Sequence, residues 1–241
     1  MTSSQVWQSE TVAKTFLEGV RGAIPLAAAQ IDVMLRLITI ARPQLTNFLD
    51  LGCGDGILGR AILTKYPQAE GIFLDFSVPM LQAAQDQLDN YPQLSFVNAD
   101  LGDPSWPQAC ATSAPFDAIV SGFAIHHQPD HIKKTIYQQI FQLLKPGGIF
   151  LNIEHVSSPS PWISQVWDEL FIDNLTQLER QKGTDKSRQQ IAQDYYYRPD
   201  KAANILAPVE LQINWLQDIG FINSDCYLKI FEIALFGGIK P

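Results

Sequence analysis

Cysteine is scarce in this chain: Cys53, Cys110 and Cys226 are the three among 241 residues, far apart and in no metal-ligand spacing. An odd, scattered set excludes a disulfide scaffold and a structural zinc site, and reads as a reduced, cytoplasmic protein with no metal. Positive charge is also in short supply, since 17 Lys and Arg stand against 25 Asp and Glu for a formal net charge of −8. Nucleic-acid affinity rests on Lys and Arg displacing counterions from phosphates, so no nucleic-acid partner is expected. Long apolar runs are missing too. The longest near the N-terminus, Ile31 to Ile40, is broken by Asp32 and Arg36, short of the roughly 20 residues a bilayer span needs. Met1 to Glu10 is polar and carries no basic stretch followed by an apolar one, so neither a secretory signal nor a membrane partner is expected. What is present is enough hydrophobic side chain, 46% of the residues, to bury one sizeable core.

From Gln44 onward short apolar runs alternate with longer amphipathic segments, the pattern of successive βα units in a parallel sheet. Strands are expected at Phe48 to Leu51, Gly71 to Leu74, Leu94 to Val97, Phe116 to Val120 and Gly148 to Ile153. Helices are expected at Ile57 to Tyr66, Pro79 to Asp89 and Ile132 to Leu144. Two further helices, Gln5 to Gly19 and Pro25 to Ala41, precede the first strand as an N-terminal cap. The second opens on a proline at a permitted first-turn position. After the fifth strand, Ser160 and Pro161 read as the N-cap and first residue of a long helix carrying Trp162, Val166, Leu170 and Leu178, with Trp162 and Val166 read as core. A closing helix, Val209 to Ile219, precedes two β-like runs, Phe221 to Phe231 and Glu232 to Lys240. With no helix between them these should pair antiparallel. The chain thus reads as one domain: a helical cap (1–44), a ligand-binding core (45–155), a helical insertion or lid (156–206), and a last helix with a β-hairpin (207–241).

The chemistry centres on Asn47-Phe-Leu-Asp-Leu-Gly-Cys-Gly-Asp-Gly, a strand running into a glycine turn and then a helix. Glycines at a strand end let the backbone approach a ligand closely. The pattern alone leaves the nucleotide open, because Gly54, Gly56 and Gly59 also satisfy a dinucleotide fingerprint. Asp50 and Asp55 favour one side of that choice. Carboxylates there oppose a pyrophosphate, at about 1 kcal/mol or more per close charge pair, and suit a ligand with an ammonium and a sulfonium, as in S-adenosylmethionine. Asp75, about twenty residues on, can accept both hydroxyls of a ribose in either cofactor. Asp100 after the third run is placed for an adenine amino group, and reads equally as a turn or helix-cap aspartate. Cys53 reads as a small spacer between glycines.

Together these residues resemble the class I S-adenosylmethionine-dependent methyltransferases of the small-molecule type. The pieces that match are Leu49-Asp-Leu-Gly-Cys-Gly-Asp-Gly, Leu74-Asp-Phe-Ser with Met80 following, Asn98-Ala-Asp, Phe116-Asp-Ala-Ile-Val-Ser-Gly-Phe-Ala-Ile-His-His, and Leu143-Leu-Lys-Pro-Gly-Gly. The resemblance covers about Phe48 to Glu154, and Phe236-Gly-Gly resembles the family's final hairpin. It implies a doubly wound α/β fold with a seven-stranded sheet in the order 3-2-1-4-5-7-6, the last strand antiparallel. It also implies S-adenosylmethionine as cofactor and S-adenosylhomocysteine as product. Asp50, Gly52, Cys53 and Gly54 would form the cofactor turn, and Asp75 would hold the ribose. Phe76 and Met80 would pack on the adenine, Asp100 and Leu101 would hold it, and Ser121, Gly122 and Phe123 would lie beside the ligand.

Methyl transfer to a small molecule, on O, N or C, is therefore the expected activity, by a monomer or homodimer. In-line displacement at an activated carbon mainly needs alignment and desolvation, so a general base is required only for a weakly nucleophilic acceptor. Glu154 and His155 at the end of the fifth strand are the base candidates, since a carboxylate can raise a neighbouring imidazole's pKa. Arg21, His126, His127, Tyr197 and Arg198 are candidates to line the acceptor site, against core, solvated and surface alternatives. Trp7 and Phe16 would contribute from the cap. Arg21-Gly-Ala-Ile-Pro also resembles the region before the first strand in carboxy-S-adenosylmethionine synthases, with Tyr197 and Arg198 near positions that would hold a carboxylate. The remaining alternatives are a non-catalytic S-adenosylmethionine-binding protein and a dinucleotide oxidoreductase, the latter opposed by Asp50.

Overall fold

The computed structural model describes residues 20–198 and 201–241. The helix expected at Gln5 to Gly19, with Trp7 and Phe16, lies outside the described residues. The described residues open with a 3-10 turn (Val20–Ala23) and helix α1 (Ala27–Ala41). The βα alternation then runs β1 (Asn47–Leu51), α2 (Ile57–Lys65), β2 (Glu70–Asp75), α3 (Val78–Leu88), β3 (Leu94–Asn98), β4 (Phe116–Gly122), α4 (Asp130–Leu143) and β5 (Leu144–His155). Two insertion helices follow, α5 (Pro161–Gln181) and α6 (Arg188–Tyr196), then α7 (Val209–Ile219), β6 (Ile222–Ile230) and β7 (Ile233–Ile239).

All seven strands form one sheet in the order β3-β2-β1-β4-β5-β7-β6, the order the resemblance implies. β1 to β5 are parallel, and β7 runs antiparallel to both β5 and β6. β1, β2 and β4 are covered on both faces, which is why they are almost wholly buried and mostly apolar. One face carries Leu51, Leu74, Ile119, Phe150 and Trp215. The other carries Phe48, Phe73, Ile62 and, from α1, Met34 and Ile38. β7 approaches β5 so closely that a Cβ on Gly237 would stand 2.0 Å from the Phe150 carbonyl oxygen, so the family-like Phe236-Gly-Gly is a packing requirement of this hairpin.

Two details depart from expectation. Pro25 does not open α1: the helix begins two residues later, after Leu26 in a left-handed conformation, and Gln30 Nε2 donates to the Pro25 carbonyl at 2.7 Å. Trp162 is 69% exposed rather than core, because α5 buries the stripe Trp167, Phe171, Ile172 and Thr176, on a different face. That stripe packs with Tyr195 and Ala23 into a third cluster. Asn174 Nδ2 donates to the Ala23 carbonyl at 3.0 Å, so the insertion is fastened to the entry of the chain. No helix among the described residues is long and apolar enough to cross a membrane.

At the opposite end of the sheet from the glycine turn, Asp117 on β4 ties three elements together. It accepts from the Thr46 backbone N–H at 2.8 Å and the Thr46 hydroxyl at 2.7 Å, and pairs with Arg42 and Lys145. Burial alone would raise this carboxyl, but the bonds from Thr46, Arg42 and Lys145 hold it well below the usual range. A depressed folded pKa stabilises above the unfolded value and is lost as pH falls through the folded one. Asp117→Ala should therefore lower stability by about 2–3 kcal/mol at neutral pH. Urea titrations at descending pH should show the gap to wild type closing below about pH 4.

Candidate active site

β2, β1 and β4 lie side by side, so their carboxyl ends bring Asp75, Asp50 and Gly122 to one edge, where doubly wound folds bind ligands. The glycine turn after β1 is held against β2 by Gly52 and Cys53 N–H groups donating to the Leu74 carbonyl at 2.7 and 3.0 Å. Gly52 has φ +67°, and a Cβ there would stand 2.2 Å from that of Ala124, so the turn after β1 and the loop after β4 touch through a position open only to glycine. The result is a concave cleft at the carboxyl ends of the central strands, with about 1170 Å³ of empty space including its open mouth.

Asp50 is fully buried on the cleft floor, and its Oδ2 accepts the Gly59 N–H at 2.8 Å, anchoring the first turns of α2. Burial pushes its carboxyl up to about 8, reinforced by the charges of Asp55 and Asp75 and opposed by the Gly59 bond and Arg21. Asp75 accepts from Gly54 N–H and Ser77 N–H, both at 2.8 Å, and burial raises it as well. Asp55 is different: it pairs with both Arg21 and Arg60. Its charge is taken up within the protein, so the preference for a cationic ligand argued from two aspartates rests on Asp50 and Asp75. Cys53 is buried and its thiol is pushed well above its ordinary value, first by burial and then by the neighbouring carboxylates, consistent with a spacer.

The cleft brings together most of the residues the resemblance singles out. Asp50, Gly52, Cys53 and Gly54 line it from β1 and the turn. Asp75, Phe76 and Met80 line it from β2 and α3, Asp100 and Leu101 from beyond β3, and Gly122 and Phe123 from β4 and its loop. Ser121 is not exposed to it: its hydroxyl is fully buried and donates to the Leu51 carbonyl at 2.8 Å. Of the acceptor candidates, Arg21 and His127 reach the wall, and His126, Tyr197 and Arg198 are not among the lining residues. Tyr197 is 85% exposed at the end of α6, and Arg198 lies over the Tyr195 ring. Neither base candidate lines the cleft. Glu154 is fully buried against His126, 2.6 Å from Nδ1, and His155 Nε2 is 2.9 Å from Glu232.

Several lining residues escaped the sequence reading: Ile24, Gln30 and Ile31 from the cap, Gln128 after the histidines, and Ile153 on β5. Gln30 had a signal, a polar side chain on the same stripe as Met34 and Ile38 of α1. Phe123 is the non-glycine cleft residue in a left-handed conformation, φ 54°. It packs against both the cluster beneath the cleft and that of the insertion.

A family model described as a methyltransferase domain matches residues 48–148, which carry this edge from β1 into β5. The matched stretch carries the motifs on which the resemblance to class I S-adenosylmethionine-dependent methyltransferases rests. The chain is 32% identical to a demethylmenaquinone methyltransferase of Leptospira interrogans, over 52% of this chain and 49% of that one. It is 27% identical to a carboxy-S-adenosyl-L-methionine synthase of Shewanella amazonensis, over 95% of this chain and 90% of that one. The chain thus spans about half the length of the first relative and nine-tenths of the second. The class I fold is also seen in an O-methyltransferase family protein from Burkholderia thailandensis, with a TM-score of 0.61 and 15% identity, covering 87% of this chain and 55% of that one.

Proposed function

We propose that this chain binds S-adenosylmethionine in the cleft and transfers its methyl group to a small-molecule acceptor. The observation that carries the reading is the pair of carboxyl groups at the strand ends. Buried Asp50 and Asp75 flank a glycine turn and leave no provision for a pyrophosphate, while their carboxylates suit an ammonium and a ribose. The donor set fits the cofactor: the Asp75 carboxylate, held by backbone N–H groups of Ser77, Gly54 and Phe76, lines the cleft as an acceptor for a ribose hydroxyl. Asp100 sits at the adenine corner, with Phe76, Met80 and Leu101 as its apolar walls. When bound, the cofactor supplies a carbon already activated by its sulfonium, and the chain supplies alignment and exclusion of water.

The acceptor is assigned to the side walled by Ile24, Ile31, Phe123 and Ile153, with Arg21 at its rim. The only imidazole among the lining residues is His127, so any proton acceptor for a neutral hydroxyl is sought there rather than at Glu154 or His155. The carboxy-S-adenosylmethionine synthase reading is not favoured, because Tyr197 and Arg198, the residues it would use, lie off the cleft wall. A cytoplasmic monomer or homodimer acting on a diffusible metabolite is the setting this reading expects.

Calorimetry should show S-adenosylhomocysteine binding and no measurable NADH binding. The reverse pattern sinks the proposal. Incubation with cell extract and methyl-labelled cofactor should then move label into a small molecule. Label that stays wholly on the cofactor would reduce the chain to a binding protein.

A further inference from the structure

Glu154 has no contact with the cleft, yet it is the most heavily bonded buried carboxylate near it. Its Oε2 accepts from the backbone N–H of His126 at 3.0 Å and from Asn152 Nδ2 at 3.4 Å. Its Oε1 accepts from the backbone N–H of His155 at 3.0 Å and lies 2.6 Å from His126 Nδ1. A carboxylate offers about four lone-pair sites, and here four nitrogens converge on them, leaving none for a substrate proton. β5 alternates, so Ile153 meets the cleft while Glu154 faces away from it.

The turn it holds does reach the cleft. His126 belongs to the 3-10 turn Ile125–His127, and the next two residues, His127 and Gln128, line the wall. Gln128 stands at the adenine corner: a Cβ on Gly102 would lie 3.2 Å from Asp100 Oδ1 and 3.3 Å from Gln128 Oε1, so the two side chains converge on one spot. The same turn is laced to residues 203–207. The Ile205 N–H donates to the His126 carbonyl at 3.0 Å, His127 Nδ1 is 3.3 Å from the Ala203 carbonyl, and buried Lys133 donates to the Ile205 carbonyl. Ser157 N–H and Gln212 Nε2 both donate to the Ala207 carbonyl at 3.1 Å.

We propose that Glu154 is a positioning residue: by accepting from the backbone and ring of His126 it fixes the His127 and Gln128 wall of the adenine corner and ties that wall to residues 203–207. The role rests on the reading that the cleft holds an adenosyl cofactor. It replaces the general-base role suggested by the position of Glu154 at a strand end.

The test begins on the wild-type chain, where nitrogen NMR of the imidazoles at pH 8 should show His126 protonated at Nδ1. His126→Asn places an amide donor where that N–H stands and should bind S-adenosylhomocysteine within about threefold of wild type. Glu154→Gln turns an NH₂ toward backbone donors, and His126→Leu removes the ring donor. Each should weaken S-adenosylhomocysteine binding by about tenfold and speed amide exchange at 126–128 and 203–207. An unprotonated Nδ1 overturns the proposal. So do Glu154→Gln and His126→Leu proteins with wild-type affinity and wild-type exchange. If those two variants do not fold, the imidazole spectrum and the His126→Asn affinity decide. Wild-type protein that binds no S-adenosylhomocysteine defeats the cofactor reading instead, and the spectrum and exchange rates then judge the tie by themselves.

Discussion

Replacing Asp75 by alanine should weaken S-adenosylhomocysteine binding by about one to two orders of magnitude, measured by calorimetry on folded protein. Two losses act together. The carboxylate is the acceptor assigned to the ribose hydroxyls, and stripping a buried acceptor costs about 1–3 kcal/mol, with each 1.4 kcal/mol worth tenfold. It also holds the N–H groups of Gly54 and Ser77, both at 2.8 Å, so its removal loosens the glycine turn that faces the ligand. Asp75→Asn keeps one acceptor oxygen and should fall between. Asp100→Ala should cost less, because Asp100 sits at a partly exposed edge where water can substitute. A folded Asp75→Ala protein with unchanged affinity would place the ribose elsewhere and remove the main support for the cofactor's orientation.

How much of this was legible in the sequence depends on how local each feature is. β1, β2 and β4 stand out because strands covered on both faces need mostly apolar runs, and the glycine turn because few other residues take φ near +60°. The start of α6 is legible in the sequence: Ser187 and Gln190 form a capping box, the Ser-x-x-Gln spacing that marks a helix N-terminus. Trp162 and Trp167 could not be told apart by hydrophobicity. Which face of α5 is buried is decided by Ala23, about 140 residues away, and by Tyr195 on the next helix. Asp55 misled for the same reason. Its position in the turn was legible, but its partner Arg21 lies 34 residues upstream, and spacing carries no sign of that pairing. Glu154 stands out in the sequence as a base candidate beside His155 at the end of the fifth strand. Whether it faces the ligand or the protein is a question of strand phase and of where His126 folds back.

Cofactor affinity should rise with pH between 6 and 8, by up to about hundredfold, and stop rising near pH 8. In the free protein burial holds the Asp50 carboxyl up to about 8, so below that pH the group is mostly neutral. A cationic ligand favours the carboxylate and lowers this pKa on binding. Between the bound and free values binding must then expel a proton, and affinity gains up to about tenfold per pH unit. Above pH 8 the carboxylate is already formed. The ligand's amino group, ordinarily near 7.7–8.0 for an α-amine, begins to lose its charge there, so the curve should turn over. Asp55, Asp75, Arg21 and Cys53 are the other titratable or charged groups coupled to this site, and Asp75, also raised by burial, pushes in the same direction. Asp50→Asn separates them. The amide mimics the neutral acid and can still accept from Gly59 N–H, so this variant should bind more weakly than wild type at pH 8 and nearly match it at pH 6. Any slope that survives belongs to Asp75 and the remaining groups. If wild-type affinity is flat from pH 6 to 8, or the full slope persists in Asp50→Asn, then Asp50 does not meet the cation and its carboxyl serves only to hold α2 to the sheet through Gly59.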